Sequence, residues 1–496
     1  MSAPSAIVIG SGVAGLATAI RLQVQGFAVT VYEKNAYSGG KLSYFEQDGY
    51  CFDAGPSLFT QPENLAELFE LAGEPIEDYF RYEAVPVACR YFFENGKRIN
   101  AYTNVNAYAQ ELHTQCGESP ESLQQYLNDA GKLYEDVGKI FLHHSLHKRS
   151  TWLHRRIWQA LRTVKRGHLF QSLNQFNEAR FRTPEVRQLF NRYATYNGSN
   201  PYQAPGMLSV IPHLEQNGGT YYPKGGMISI TNALYQLALK KGVQFQFNQP
   251  VERIIQHERK VRGVVVNGQN ISSDVVVSNG DVYFTYKHLL RNEGKARGIL
   301  KNERSSSALI FYWGIRQAFP ELQLHNILFS NHYPEEFKHI FKIKTLYSDP
   351  TVYINITSKL EAGMAPAGGE NWFVMINAPA VTGSEWQDWK TQARRNIIEK
   401  INRVLVTDIE PLIATEAILD PVTIETKTGS YLGSLYGTSS NSRMAAFARH
   451  PNFSASIKGL YFVGGSVHPG GGIPLCFKSA RITSELIASS NIKPHA

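Results

Sequence analysis

Cysteine is scarce in this 496-residue chain: Cys51, Cys89, Cys116 and Cys476 stand apart, with no CxxC pair. That argues against a zinc site or a disulfide framework and fits a reducing, cytoplasmic compartment. Long apolar runs are missing too. The stretch Ala6 to Ile20 is broken by Gly10, Ser11, Gly12 and Gly15, so it reads as a strand and a helix, not a membrane span. With the first strand expected at Ala6, a secretory leader is not expected. Hydrophobic residues make up 43% and charged residues 19%, as in ordinary globular domains, and the length allows two or three of them.

Acidic residues are absent between Asp136 and Glu178. That stretch holds Lys139, Lys148, Arg149, Arg155, Arg156, Arg162, Lys165 and Arg166, which match the whole formal net charge of +8. Leu153, Ile157, Leu161 and Val164 recur there at helical spacing, beside Trp152 and Trp158, which predicts a basic amphipathic helix. Such a helix either packs on the protein with a solvated basic face or lies on an anionic membrane surface. Nucleic acid is not an expected partner, because no nucleic-acid module accompanies the charge. His143, His144 and His147 have no carboxylate or thiolate companions nearby, so no metal site is assigned.

Glycine is concentrated at the two ends of the chain. Gly10-Ser-Gly12-Val-Ala-Gly15 follows an apolar strand (Ala6 to Ile9) and opens a helix expected over Ala14 to Gln25, closed by Gly26. Alone, this pattern equally describes a glycine-rich turn. Glu33, 23 residues beyond Gly10 at the end of a second strand (Val29 to Tyr32), supplies the acid that hydrogen-bonds an unphosphorylated ribose. Gly39-Gly40-Lys41 suits a pyrophosphate, which needs close backbone approach and a cation. The other end repeats the arrangement. Strand Leu460 to Val463 leads into Gly464-Gly465-Ser-Val-His468-Pro-Gly-Gly-Gly472-Ile473-Pro474, with Pro474 expected at the first helical position. Two glycine loops at opposite termini suggest one long cofactor held at both ends, FAD.

Other expected elements are helices over 63–72 and 120–142, the latter with Ser119 as N-cap. Strands are expected at Val243 to Phe247, Val251 to Ile255, Val261 to Val266, Asp274 to Ser278, Thr351 to Thr357 and Trp372 to Asn377. The fold class is α/β: a discontinuous Rossmann-type FAD-binding domain (1–80, 218–290 and 455–496) with an inserted α+β substrate and membrane-contact domain (81–217 and 291–454).

Taken together, Gly10 to Gly15, Glu33, Gly39-Gly40-Lys41, Asp53-Ala-Gly-Pro56, Tyr222-Pro-Lys-Gly-Gly226, Val251-Glu-Arg-Ile254, Val277-Ser-Asn279-Gly-Asp281 and His468 to Pro474 resemble the phytoene desaturase family of FAD-dependent carotenoid oxidoreductases. That family is itself related to the flavin amine oxidases. The resemblance spans nearly the whole chain. It implies a cofactor site made by Gly10, Gly12, Gly15, Glu33, Gly40, Lys41, Ser57, Leu58, Val251, Asn279, Gly464, Gly465, Gly472 and Ile473. Val251 would meet the adenine, Ser57 and Leu58 the isoalloxazine, and the Gly464 to Ile473 loop the ribityl chain and pyrimidine edge. Lys41 replaces the family's usual arginine, and Gly465 stands where amine oxidases carry an acid, which disfavours an amine substrate.

Gly55 to Thr60 and Arg192 to Pro201 resemble the hydroxycarotenoid 3,4-desaturase branch. The implied reaction takes a hydride from an allylic carbon to the flavin and a proton from its neighbour. Phytoene desaturation and redox-neutral carotenoid isomerisation are alternatives on the same fold. A prenyl-lipid carrier, as in the Rab GDP dissociation inhibitors, is an alternative of another class. An apolar polyene gains little on leaving lipid, so uptake through a membrane-facing tunnel is expected, with the enzyme cytoplasmic and peripherally attached. His213 and Glu215 are weighed as proton acceptors against an ordinary helix-end pair, and no catalytic base is assigned. No residue pattern specifies the electron acceptor.

Overall fold

Five short strands run parallel in the spatial order Leu460–Phe462, Val275–Ser278, Ser5–Ile9, Ala28–Tyr32, Gln244–Gln246. The computed structural model describes residues 3–153, 164–442 and 449–490. In the central strand Ala6 and Val8 point to one face and Ile7 to the other, as the two-residue period of a strand requires. On the first face pack the helices Val13–Val24, Ile228–Lys240 and Ile473–Ala488; on the second lies an antiparallel three-stranded sheet, Val251–His257, Lys260–Val266 and Gln269–Ser272. The C-terminal segment thus returns to the sheet begun by the N-terminus, with Val276 paired to Leu460.

A second, mixed sheet has seven strands in the order Ile413–Leu419, Ser307–Ile315, Glu370–Ala378, Val352–Ile356, His325–Leu328, Val87–Phe92, Arg98–Tyr102. Ser307–Ile315 is buried at every position. Alternation survives in which core each residue enters. Leu309, Phe311 and Trp313 meet Ile397 and Ile401 of the helix Trp386–Leu405, while Ile310 and Tyr312 meet Phe52 and Phe373.

Several local expectations shift. Helix 120–142 is interrupted: an α-helix Pro120–Leu133 passes through a π-turn at Tyr134–Gly138 into Lys139–His143. Gly138 leaves room for the Tyr134 ring, which a β-carbon there would meet at 2.7 Å. Ser119 sits at the N-cap but makes no capping hydrogen bond; its hydroxyl turns to Glu121. Pro474 falls one residue later than expected, because Ile473 already begins the helix. Of the basic amphipathic helix, the short helix Arg149–Trp152, the following Leu153 and the residues from Val164 on are described; Ile157, Trp158 and Leu161 lie outside the described residues.

Candidate cofactor and substrate site

The first glycine loop leaves the carboxyl end of Ser5–Ile9, where the chain connections on either side of the strand diverge and α/β sheets bind ligands. Gly10 has φ +95°, a conformation that disfavours a side chain. Gly12 caps the helix Val13–Val24, whose first turn carries no acid, so its free amides face an anion without competition. A β-carbon on Gly12 would meet Asn279 Nδ2 at 2.8 Å, and one on Gly15 would meet the Gly10 carbonyl at 2.2 Å. Gly15 therefore lets helix and loop touch and does not itself face a ligand.

Glu33 is buried and holds this loop in place. Ser11 donates to Oε2 from its amide (2.8 Å) and hydroxyl (2.9 Å), and Asn35 donates to Oε1 from its amide and side chain (both 3.0 Å). The expected ribose contact is an additional task for a carboxylate that already organises the phosphate loop. Gly39, paired with Gly12 through an isolated bridge, donates its amide to the Ser11 carbonyl (2.8 Å). Gly40, with φ +61°, lies against the Gly12 backbone.

Lys41 reaches across to the inserted region: its Nζ donates to the Leu435 carbonyl (2.8 Å) and lies 3.5 Å from that of Ser434. Desolvation pushes its ammonium down to about 8, while nearby Asp281 favours the charged form. Asp281 itself is bonded to the buried Arg304.

Gly10, Gly12, Glu33, Gly39, Gly40 and Lys41 border one continuous cavity of about 1540 Å³, as do Ser57, Leu58, Val251, Asn279, Gly464, Gly465, Gly472 and Ile473, whereas Gly15 does not. Val251 lies at the start of its strand, paired with Val266 beside a register irregularity. Gly464 again depends on lacking a side chain, since a β-carbon there would meet Asn279 Oδ1 at 2.9 Å. Gly465 faces Gly471, and Gly471 lies under the Tyr436 ring, which its β-carbon would meet at 2.5 Å. Arg449, absent from the sequence expectation, lines this end and donates to the carbonyls of Tyr436 (3.1 Å) and Gly465 (3.4 Å). This glycine bed, with an acid at the ribose position and free helix amides, fits the long, anionic outline of FAD.

The profile of the flavin-containing amine oxidoreductases matches residues 13–346. The chain is 49% identical to a 1-hydroxycarotenoid 3,4-desaturase of Flavobacterium sp. (strain P99-3), over 98% of this chain and 99% of that one. It is 31% identical to a 4,4'-diaponeurosporene oxygenase of Staphylococcus haemolyticus (strain JCSC1435), over 99% of each. This chain belongs to the flavin-containing amine oxidoreductase family. Among solved structures it resembles a redesigned putrescine oxidase (TM-score 0.64, 12% identity, covering 98% of this chain and 100% of that one) and an oxidoreductase from Methanosarcina mazei (TM-score 0.63, 14% identity, 98% and 100%). Those two likenesses concern the fold.

As a flavin-containing amine oxidoreductase the protein is an FAD-dependent oxidoreductase, and the remainder of its cavity is the place for a substrate. That part is lined chiefly by side chains, among them Phe141, Ile310, Tyr333, Phe373 and Met375. One wall is polar. Buried Arg192 donates to the hydroxyls of Tyr91 (2.6 Å) and Tyr196 (2.7 Å), lies 3.4 Å from Glu215, and sits over the Tyr193 ring. Glu215 also accepts from Tyr193 (2.7 Å) and Tyr196. Its oxygens are already engaged, so the structure makes it the counter-ion of Arg192, not a free base.

His213 faces elsewhere, with Nδ1 2.8 Å from Asn217 Nδ2 and its ring against Gly131. His143 is likewise a structural partner, its Nε2 3.1 Å from Lys478 Nζ. Asp53 and Gly226, which belong to two separate sequence motifs, form a single joint. Asp53 accepts from the amides of Met227 (2.8 Å) and Ile228 (3.2 Å) at the start of the helix Ile228–Lys240.

Proposed function

We propose that this enzyme desaturates an acyclic or monocyclic carotenoid carrying a 1-hydroxyl group, at the 3,4 bond. The observation that carries this reading is the 49% identity, end to end, with a 1-hydroxycarotenoid 3,4-desaturase. The cavity supports it. At about 1540 Å³ it exceeds the roughly 300–1,000 Å³ of an ordinary small-molecule pocket, leaving room for a second, apolar guest beside the cofactor.

Bound FAD supplies a hydride acceptor. The chain's own residues position the polyene by shape and keep water out. Apolar burial is worth about 25 cal/mol per Å² against water but almost nothing against lipid, so substrate entry from a membrane is favoured over entry from solution. The substrate loses one hydride and one proton from adjacent carbons. Conjugation spreads the transient positive charge, and the aromatic walls, including Tyr333 and Phe373, stabilise it by cation–π attraction.

Two exposed apolar side chains support peripheral attachment to the cytoplasmic face of a membrane. Leu153 (83% exposed) and Phe170 (58% exposed) flank Arg155, Arg156, Arg162, Lys165 and Arg166 in the sequence, and Phe170 with Trp152 and Phe141 also lines the cavity. An exposed aromatic side chain, Phe170, thus stands at the rim of the cavity next in sequence to the basic stretch. Among the described residues no helix is long and apolar enough to cross a membrane.

The test is incubation of the holoenzyme with a 1-hydroxylated acyclic carotenoid in liposomes and an artificial electron acceptor. Loss of two hydrogens with a shift of absorption to longer wavelength is expected. A spectral shift without mass change makes the protein an isomerase. Action on phytoene but not on hydroxylated carotenoids makes it a phytoene desaturase, and protein without flavin absorbance makes it a carrier. Replacing Arg155, Arg156, Arg162 and Lys165 by glutamate should abolish sedimentation with anionic vesicles while flavin stays bound; unchanged sedimentation removes the membrane reading.

A further inference from the structure

His325 opens the strand His325–Leu328, is 2% exposed and borders the cavity. Its Nδ1 lies 2.7 Å from the Tyr353 hydroxyl and 3.1 Å from Asn355 Nδ2. The same Asn355 nitrogen donates to the Leu324 carbonyl (3.1 Å), which fixes the amide orientation and leaves its second hydrogen for the imidazole. A nitrogen facing an N–H donor must be an acceptor, so Nδ1 is unprotonated and the ring proton sits on Nε2. Burial, reinforced by the Arg192 charge, pushes the imidazole down to about 3, so the ring is neutral at physiological pH. The Tyr353 hydroxyl, the nearer of the two, then shares the single Nδ1 lone pair with Asn355 as a donor and accepts from Ser57 Oγ at 2.8 Å, making a directed chain Ser57–Tyr353–His325.

Nε2–H, at the end of that chain, is buried and has no partner among the described residues. A buried donor without an acceptor is costly. Arg192, whose charge is felt at the ring, has only donors, and the Glu215 oxygens are occupied by Arg192, Tyr193 and Tyr196. The missing acceptor is therefore one that a ligand brings. A hydrocarbon polyene has none, whereas a hydroxylated end group has one.

We propose that His325 Nε2–H is the donor that reads the hydroxyl oxygen of the carotenoid end group and so sets the enzyme's preference for hydroxylated substrates. The proposal rests on the desaturase reading and adds the residue that recognises the hydroxyl. Its position is chemically apt. A 1-hydroxyl lies two carbons from the 3,4 bond, so its receptor belongs beside the reacting segment. Ser57, at the other end of the hydrogen-bond chain, lies in the segment expected to flank the flavin.

The experiment titrates holoenzyme in detergent micelles with a 1-hydroxylated acyclic carotenoid and with its 1-deoxy hydrocarbon counterpart, following perturbation of the flavin spectrum. Wild-type protein should bind the hydroxylated compound about tenfold more tightly. His325→Phe should bring the ratio near one, and His325→Gln, which keeps an N–H donor, should retain part of it. Equal binding by wild-type protein overturns the proposal whatever the variants do, as does an unchanged ratio in a flavin-loaded His325→Phe. If neither carotenoid binds, the desaturase reading fails; if both bind equally and are dehydrogenated, only the hydroxyl receptor fails.

Discussion

At the cofactor end the cavity wall is largely main chain: Gly10, Gly12, Gly40, Gly464, Gly465 and Gly472, with Glu33 holding one loop from behind. At the substrate end it is largely side chain, contributed by the seven-stranded sheet and by segments around 133–142 and 192–215. A main-chain wall tolerates an added atom poorly where the fit is closest: a β-carbon on Gly12 or Gly464 would strike the Asn279 side chain at 2.8 and 2.9 Å, and one on Gly465 the Gly471 backbone at 3.2 Å. A side-chain wall can be resized, because rotamers adjust and volume is shared. The first half therefore should respond to substitution by losing the cofactor, and the second by changing what is bound beside it.

The largest effect is expected at Gly15. Its β-carbon would lie 2.2 Å from the Gly10 carbonyl, so Gly15→Ala should weaken FAD retention about a hundredfold. Flavin absorbance per protein after gel filtration measures this, and undiminished colour would break the comparison at its strongest point. Glu33→Ala comes next. It strands the Ser11 and Asn35 amides and should raise the FAD dissociation constant about fiftyfold in reconstitution titrations of the apoprotein. Equal retention would mean that the loop is held by its backbone alone.

A third, smaller effect concerns the joint that ties the Asp53 turn to the start of the helix Ile228–Lys240. Burial outweighs the amide hydrogen bonds to Asp53 and raises its carboxyl from an ordinary 3.8 to about 6. Between those values the folded state binds more protons than the unfolded chain, so stability falls as pH rises from about 4 to 6 and is level above. Asp53→Asn should remove that fall in stability, about 3 kcal/mol between pH 4 and 6. Denaturant unfolding at several pH values decides it; an unaltered slope assigns the pH dependence elsewhere.

The smallest effect is expected on the side-chain wall. Phe373→Leu should raise KM for the carotenoid about fivefold with flavin content unchanged. Loss of flavin in this variant would show that the two halves are not separable.

By itself the sequence determined the cofactor half, because binding a pyrophosphate and ribose demands fixed local geometry. Positive φ, close backbone approach and an acid at a set distance leave contiguous signatures at Gly10 to Gly15, Glu33, Gly39-Gly40 and Gly464 to Gly472. The return of the C-terminal strand to the first sheet was legible for the same reason. The Asp53 motif was visible without its purpose, which appears only when the fold sets it against Met227 and Ile228. Glu215 could be weighed from the sequence only as a proton acceptor or a helix-end acid, and its packing against Arg192 makes it a buried counter-ion.

His325 gave no signal at all. It meets Asn355 and Tyr353, and through Tyr353 is linked to Ser57, because strand pairing sets His325 opposite Asn355, while burial leaves one ring nitrogen without a partner among the described residues. A cavity that recognises an apolar chain by shape imposes no spacing on the sequence, so which side chains converge on it is decided by sheet register and packing, and only the tertiary structure displays that.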